Sequence, residues 1–470
     1  MKKSLITMML CCLPLLAWAQ NIFTAKTVEG VDMTFKVISE IEKTCMVGDE
    51  TYGSPSIPSD YKGSVTIPSM VNGYKVTRIG SWAFNECGGL TSVSIPETVS
   101  SIGANAFRRT RITEIEFPNS LESIENGAFQ DCGGLTSIFV PKSVTHIDPT
   151  AFEGENISSI TVEYSNPVYD SRDNCNAIIE SATNTLVRGC KNTLIPKSVT
   201  ALTHSSFSCC PLAKIVIPES VTTIGHEAFV ACRKLSEVNI PNSVTRIEHS
   251  TFRYCDNLTN IVLPEGITYI GAVAFSESGL KSITFLKNFP TIEEGAFWCG
   301  LTSVTTYMET PVTITKDIFP SRKEATLYVP KGCKAAYLAA DYWKEFKEIK
   351  EIMSVGEIFT AKTVEGVDMT FKVISEIEKT CMVGDEQGEG IHSFPTDYSG
   401  GITIPSTAND YKVTRIGSWA FNWCHGLTSV NIPETVTSIG VQAFIGTSLT
   451  SVTFPNSLES IERGAFQCCI

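Results

Sequence analysis

The sequence has few of the residues and segments on which most enzymes and nucleic-acid-binding proteins depend. Only 6 of its 470 residues are histidine, and no H-E-x-x-H, G-x-S-x-G or glycine-rich phosphate-binding motif occurs. Positive charge is scarce as well, since 37 Lys and Arg against 50 Asp and Glu give a net charge of −13. This balance argues against nucleic acid or anionic membranes as the main partner. The sequence therefore predicts a non-enzymatic protein with no cofactor.

The histidines and cysteines also lack the spacing of a metal site. No C-x-x-C pair is matched by a second one, which argues against zinc. Four of the histidines fall near the turns of the repeat described below, where we expect solvated side chains: His146, His204, His226 and His249. The other two are His392 and His425.

The first 19 residues have the three parts of a secretory signal peptide. Two lysines follow Met1, residues 5–16 are apolar, and residues 17–19 form an A-x-A cleavage site. A lipoprotein signal is disfavoured because neither cysteine of this segment follows the small residues that lipidation requires. No later apolar run reaches the ~18 residues of a membrane-spanning helix. We therefore expect an exported protein, either secreted or held at the cell surface.

A repeat of 22 or 23 residues dominates the rest of the chain. Its idealised form is L-x-x-V-x-I-P-x-x-V-T-x-I-G-x-x-A-F-x-x-C. Such periods are typical of solenoids, in which each unit packs only against its neighbours. The phenylalanines that mark the repeat are Phe84, Phe107, Phe129, Phe152, Phe207, Phe229, Phe252, Phe275, Phe297, Phe319, Phe421, Phe444 and Phe466.

Each part of the repeat has a physical interpretation. Val93 and Ile95 alternate with Ser94, which predicts a short strand with Ser94 facing outward. Pro96 ends this strand because it cannot donate a ladder hydrogen bond. The V-T-x-I-G part predicts a second inward-facing strand and a turn, and Ala-Phe then fills the far side of the coil. Since one repeat buries too little apolar area to fold alone, the repeats are expected to stack.

The stretch LTSVSIPETVSSIGANAFRRT resembles the leucine-rich repeats of BspA-like bacterial surface proteins, also called Treponema-type repeats. The resemblance covers residues 63–325 and 400–470. It implies a β-rich leucine-rich-repeat solenoid with parallel β ladders and short helical turns. It also implies a role in adhesion, with extracellular or host-matrix proteins as partners.

The repeats predict the domain organisation of the first part of the chain. We expect an N-terminal β-hairpin cap over residues 20–62 and a solenoid over 63–325. The long gap between two of the phenylalanines predicts a hairpin insertion near 163–194. Residues 326–352 predict a C-terminal cap of one strand and a helix near 333–350.

The second part of the chain begins as a copy of the first. Residues 22–50 recur letter for letter at 358–386, which indicates a tandem duplication. After a linker at 353–357, we expect a second cap over 358–399 and a truncated second solenoid over 400–470. Such an array should be monomeric unless a partner covers its open C-terminal edge.

The remaining cysteines allow two interpretations. Cys175 and Cys190 lie on either side of a turn within the insertion, so they either form a disulfide, which export permits, or stay as half-buried thiols. The others mostly follow the phenylalanine by three residues, which predicts a buried column of free thiols. Its members are Cys87, Cys132, Cys210, Cys232, Cys255 and Cys424.

The candidate binding residues lie at the outward position between the Val and Ile of the first strand, here called the outward column. Varied side chains on a regular scaffold are typical of a recognition surface. Alternatively, the array is a structural spacer that presents another domain, or a carbohydrate-binding solenoid, which needs an exposed aromatic platform. The candidates are Ser94, Glu116, Phe139, Val216, Asn239 and Val262.

Overall fold

The structure is a computed structural model that describes residues 21–154, 156–286, 288–386 and 393–469. The predicted signal peptide, His392 and Ile470 lie outside these residues. The chain forms two compact units, Met1–Tyr328 with Ala336–Ile349, and Val329–Ala335 with Lys350–Ile470.

The described chain is rich in short strands. The first twelve are β1 (Ile22–Lys26), β2 (Asp32–Ser39), β3 (Thr44–Val47), β4 (Gly63–Thr66), β5 (Met70–Val71), β6 (Tyr74–Ile79), β7 (Leu90–Ser94), β8 (Ser101–Ile102), β9 (Ser123–Ile124), β10 (Ser137–Val140), β11 (His146–Ile147) and β12 (Ser159–Val162). The next are β13 (Tyr169–Asp170), β14 (Ala177–Glu180), β15 (Thr185–Gly189), β16 (Ala201–Leu202), β17 (Lys214–Ile215), β18 (Thr223–Ile224), β19 (Glu237–Val238), β20 (Arg246–Ile247), β21 (Tyr269–Ile270), β22 (Ser282–Phe285), β23 (Thr291–Ile292), β24 (Ser303–Thr306) and β25 (Thr326–Val329).

Helix is confined to three short segments of the described chain. These are the 3-10 turn Arg172–Asn174, helix α1 (Lys334–Ala339) and the 3-10 turn Trp343–Glu345. The remaining strands are β26 (Glu348–Glu351), β27 (Ile358–Lys362), β28 (Asp368–Ser375), β29 (Thr380–Val383), β30 (Gly400–Thr403), β31 (Thr407–Ala408), β32 (Tyr411–Ile416), β33 (Leu427–Asn431), β34 (Ser438–Ile439) and β35 (Ser460–Ile461).

Parallel ladders join equivalent strands of successive coils in the first unit. First strands of neighbouring coils pair in parallel where both form, as in β10 and β12, where Ile138 lies opposite Ile160. The second strands β6, β8, β9 and β11 pair in the same way. Each apolar letter of the repeat thereby forms a buried row, which confirms the predicted parallel ladders. One such row is Ile79, Ile102, Ile124 and Ile147.

The Ala-Phe turn forms a third hydrogen-bonded side of the coil. The N–H of Phe107 donates to the carbonyl of Ala128 in the next coil at 2.8 Å, and this bond recurs in most coils. In most coils the residues two before and two after the phenylalanine have positive φ, such as Asn105 at 54° and Arg109 at 57°. Their N–H groups donate to the next coil as well. Because these residues interrupt the turn twice, it cannot continue as a helix, and the predicted short helical turns of the coils are wrong.

The phenylalanine rings form continuous stacks inside the coils. Neighbouring rings lie with their centroids 4.9 to 5.6 Å apart and nearly parallel, in offset-stacked pairs that add to the hydrophobic burial. The first stack runs from Phe84 to Phe152 and the second from Phe207 to Phe319. In the second unit, the stack runs from Phe421 to Phe466.

A hairpin of β14 and β15 separates the first two stacks. Strand β15 pairs parallel with β16, the second strand of the following coil. The hairpin thus supplies the strand that a regular coil would place at this position of the ladder. Arg188 of this strand is fully buried, and its guanidinium donates to the carbonyls of Ser205 at 2.9 Å and Ser208 at 3.0 Å. A charged side chain thus lies at the break between the phenylalanine stacks.

Gly189 makes a close approach that other residues cannot make. A Cβ at this position would come within 2.2 Å of the Phe207 ring. The first ring of the second stack therefore packs directly against the backbone of the hairpin.

The C-terminal segment of the first unit differs from its prediction. A continuous helix near 333–350 is wrong, because the structure has α1, a 3-10 turn and strand β26 instead. Tyr342 has a φ of 63°, which no helix accommodates. In this segment Tyr337 and Phe346 are buried, but Leu338 is exposed. Trp343 is buried in its place, and its Nε1 donates to the carbonyl of Val312 at 2.7 Å.

The identical segments of the two units fold alike. Strands β1, β2 and β3 are antiparallel neighbours, and β3 then pairs parallel with β6. Strands β27, β28, β29 and β32 repeat this arrangement, with Phe371 opposite Val383 as Phe35 is opposite Val47. The role of these strands as caps stays a prediction.

We predict that Phe252→Ala lowers the free energy of unfolding by about 3–5 kcal/mol, because it removes a fully buried ring and leaves a cavity between two stacked neighbours. Denaturant unfolding followed by circular dichroism measures the change. The matched control is Phe139→Ala at an exposed phenylalanine, which should cost less than about 1 kcal/mol. Similar losses in both variants would contradict the importance of the stack.

Candidate functional site

The histidines that the structure describes do not form a reactive cluster. His226 and His249 are exposed and His204 is half-buried, and the rings of His204 and His226 stack at 5.1 Å. Among the described residues, no group of three or more His, Cys, Asp or Glu side chains is placed to hold a metal ion. Nor does the described part of the chain contain a helix long and apolar enough to cross a membrane.

The cysteines of the repeat form the predicted buried column. Cys232 donates to the carbonyl of Phe207 in the preceding coil at 3.1 Å, and Cys255 does the same to Phe229 at 3.2 Å. Burial raises the pKa of Cys255 to about 12 and that of Cys232 well above its ordinary value. Buried thiols with raised pKa values are poor nucleophiles. These cysteines therefore act in packing, which confirms the interpretation from their position in the repeat.

Cys175 and Cys190 are both buried in the insertion. The register of β14 and β15 opposes Ala177 to Gly189, which places Cys190 next to Asn176 rather than Cys175. In agreement, the Cys190 thiol lies 3.3 Å from the carbonyl of Asn176. Both cysteines are thiols in the structure, and the disulfide between them stays a prediction.

The outward column contains the six candidate residues at one repeat position of the first unit. All six are exposed. Phe139 lies opposite Thr161 of the next coil, which confirms that neighbouring members of the column lie side by side. Three of the six carry apolar side chains with large exposed fractions, namely Phe139 at 53%, Val216 at 74% and Val262 at 77%.

One candidate, Asn239, is less free than the other five to contact a partner. The Asn239 amide is held against the neighbouring coil, because its Nδ2 donates to the carbonyl of Ile217 and its Oδ1 accepts from the N–H of Ile217, both at 2.8 Å. Further along the column, Thr284 is half-buried and Thr305 is buried. The exposed part of the column therefore ends near Val262.

Leu194 is a member of the outward column that the sequence analysis missed. It precedes Ile195-Pro196 as Val216 precedes Ile217-Pro218, and it is 22 residues before Val216. The signal was present in the sequence, but the insertion hid the repeat register. Its side chain is 74% exposed.

Hydrogen bonds place Leu194 in its coil. The N–H of Lys191 donates to the carbonyl of Ile157, and the Asn192 side chain donates to Ser158 at 3.0 Å. The segment that leads to Leu194 therefore lies beside the first strand of the preceding coil. The N–H of Leu194 itself donates to the carbonyl of Cys175 at 3.0 Å, so the insertion borders this residue directly. After the insertion, the same repeat position is held by Leu194, Val216, Asn239 and Val262.

Comparison with known proteins agrees with this architecture. The family model of the BspA-type leucine-rich-repeat region matches residues 58–175, 184–319 and 398–470, with six copies of the repeat. The chain belongs to this family. The BspA-type repeat explains both the parallel ladders and the near absence of helix in the described chain. No curated protein matches the chain.

The chain is similar to solved structures of bacterial proteins, and with one of them the TM-score reaches 0.50. The pneumococcal vaccine antigen PcpA aligns with a TM-score of 0.50 and 19% identity over 70% of this chain and 99% of its own. A leucine-rich-repeat protein from Eubacterium ventriosum aligns at 0.38 and 17% over 96% and 95%. A leucine-rich cell surface protein from Faecalibacterium prausnitzii aligns at 0.32 and 19% over 71% and 95%. The matching family model is that of a repeat region and indicates no catalytic family.

We predict that the buried thiols of the native protein resist alkylation and disulfide exchange at pH 8. With a pKa of about 11, as for Cys87 and Cys132, only about one thiol in a thousand is ionised at that pH. The exposed Cys468 should react first. Titration with a thiol reagent before and after denaturation, without reductant, measures both populations. If the denatured protein shows nearly all cysteines oxidised, the free-thiol interpretation is wrong.

Proposed function

We propose that the protein is exported, stays at the cell surface or is secreted, and binds other proteins through the outward column. The observation that supports this best is the presence of four exposed apolar side chains at one repeat position. We call them the apolar set: Phe139, Leu194, Val216 and Val262. Single exposed apolar residues are common on protein surfaces, but four at the same position of stacked coils form a pattern.

The solenoid makes this surface suitable for tight contact. Each side chain of the apolar set emerges from a coil held by hydrogen bonds to its neighbours, so little backbone freedom is lost on binding. Covering one such side chain contributes roughly 1.5–3 kcal/mol. Two or three covered side chains therefore supply the hot spots of a micromolar interface.

Extracellular or host-matrix proteins are the partners that fit an exported repeat protein of this kind. No cofactor is needed for such binding, and we propose no catalytic activity. An acidic chain, with a net charge of −13, is a poor ligand for nucleic acid. Without a partner on its edges, the protein should be a monomer.

A structural spacer is the main alternative. A spacer needs the ladders and the phenylalanine stacks but places no demand on the outward column. Apolar residues exposed to water bring a spacer no benefit and favour aggregation. The apolar set therefore favours the binding function over the spacer.

We predict that replacing the apolar set by glutamate reduces binding to a panel of immobilised extracellular-matrix proteins at least about a hundredfold, because two lost apolar contacts are worth about 3 kcal/mol. The full-length mature protein is used, and binding is measured by biolayer interferometry. The four substitutions are F139E, L194E, V216E and V262E.

The matched control carries glutamate at two equally exposed apolar residues outside the column, Val28 and Ile41. This variant should bind as the unmodified protein does, and both variants should unfold at the same denaturant concentration. Binding that survives the substitutions in the apolar set would disprove the role of the column. A chain that binds no protein of the panel would favour the spacer.

A further inference from the structure

A recess opens beside the turn that follows Phe297. In this coil, the phenylalanine and the next repeat leucine, Leu301, are four positions apart, whereas Phe84 and Leu90 are six apart. The turn is therefore one or two residues shorter than in the other coils, where this spacing is five or six. The shortening leaves an open recess of about 550 Å³, whose far side is formed by Pro320, Ser321 and Glu324 of the next coil.

Gly300 deepens this recess. It follows the phenylalanine by three residues, at the position where other coils have a cysteine, threonine or serine that packs against a phenylalanine carbonyl. Its φ is not positive, so backbone conformation does not require glycine here. A Cβ at this position would meet only the Lys281 ammonium, at 3.4 Å. The Cys299 thiol, one position earlier, hydrogen-bonds to the Ser278 side chain and takes the column position in this coil, so Gly300 adds no second side chain to the wall of the recess.

One wall of the recess is the indole of Trp298, which is 62% exposed. Its ring rests on Gly295, where a Cβ would lie 3.5 Å from the indole. The indole of Trp298 therefore packs against Gly295, while most of the side chain stays accessible to solvent. The carbohydrate-binding hypothesis needs such an exposed aromatic platform, and the structure provides it outside the outward column.

Polar groups surround the indole. Thr302, Ser321 and Glu324 line the recess, and the Lys281 ammonium lies near Gly300. The Ser321 hydroxyl donates to the carbonyl of Cys299, which holds the next coil against the short turn. The recess therefore combines an exposed tryptophan with hydroxyl and carboxylate side chains in its lining and the Lys281 ammonium beside Gly300.

We propose that this recess binds a pyranose unit of a β-linked oligosaccharide. The C–H groups of an equatorially substituted pyranose form a flat, slightly positive face, which complements the negative face of the indole. Its hydroxyl groups both donate and accept hydrogen bonds, which suits a rim with a carboxylate, an ammonium group and two hydroxyls. The Ser321 and Thr302 hydroxyls already donate to the carbonyls of Cys299 and Lys281, so they offer acceptor oxygens to the sugar, whereas the Glu324 carboxylate accepts from its hydroxyls.

Titration of the full-length mature protein with cellotetraose and with chitotetraose, followed by calorimetry and saturation-transfer NMR, tests this site. We expect at least one sugar to bind with a Kd of about 1 mM or tighter. Trp298→Ala removes the platform and should weaken binding about tenfold. Gly300→Leu keeps the indole but fills the recess, and should weaken binding to a similar degree.

The matched control is Trp423→Ala, at a tryptophan of similar exposure in the second unit. This variant should bind the sugar as the unmodified protein does. Circular dichroism and denaturant unfolding establish that each variant is folded. A proline-rich decapeptide, the other ligand that stacks on exposed tryptophan, is titrated in parallel.

The proposal is overturned if neither sugar binds at about 10 mM, or if the decapeptide binds in a Trp298-dependent manner and the sugars do not. Sugar binding that both Trp298→Ala and Gly300→Leu leave unchanged would also overturn it. The result is independent of the outward column, because the F139E, L194E, V216E and V262E variant should bind the sugar normally.

Discussion

The hydrogen bond from each phenylalanine N–H to the next coil is the constraint on which the rest of the solenoid depends. It recurs from Phe84, Phe107 and Phe129 in the first stack and from Phe207 to Phe275 in the second. The two flanking residues with positive φ direct their N–H groups the same way, so the turn contributes three bonds per coil. Because these bonds and the two ladders act on three sides, the coils cannot slide past each other, and the phenylalanine rings are held at stacking distance.

This constraint determines where the sequence can vary. The residues between the phenylalanine and the next leucine lie partly outside the three ladders. Their number varies from three after Phe297 to five after Phe84. The outward column varies for a different reason, since its six candidate side chains are exposed to solvent and do not fill the core. Buried rows, in contrast, accept only residues of suitable size and polarity, such as the thiols that reach a phenylalanine carbonyl.

The periodic part of the fold was predictable because each apolar letter of the repeat has one physical role. The ladders, the phenylalanine rows and the buried cysteines all follow from period and alternation. The third hydrogen-bonded side, formed by the Ala-Phe turns, was not predictable. It depends on positive φ at residues such as Glu227 and Ala231, which are neither glycine nor asparagine, the residue types that usually indicate this conformation. The C-terminal helix was predicted too long for the same reason, because the left-handed Tyr342 looks like an ordinary helical residue in the sequence.

The candidate surfaces were predictable only where the repeat is regular. Leu194 was missed because the insertion before it obscures the register, and Trp298 because its importance depends on a recess that only the shortened turn creates. The insertion also divides the outward column by chemistry. Before it, the column is mainly polar, with Ser94, Glu116 and Thr161 around Phe139. From Leu194 to Val262, the one polar member is Asn239, and its amide is bonded to the backbone of Ile217 in the preceding coil. A partner that follows the column should therefore make its apolar contacts after the hairpin, where the second phenylalanine stack begins and the scaffold is uninterrupted from Phe207 to Phe319.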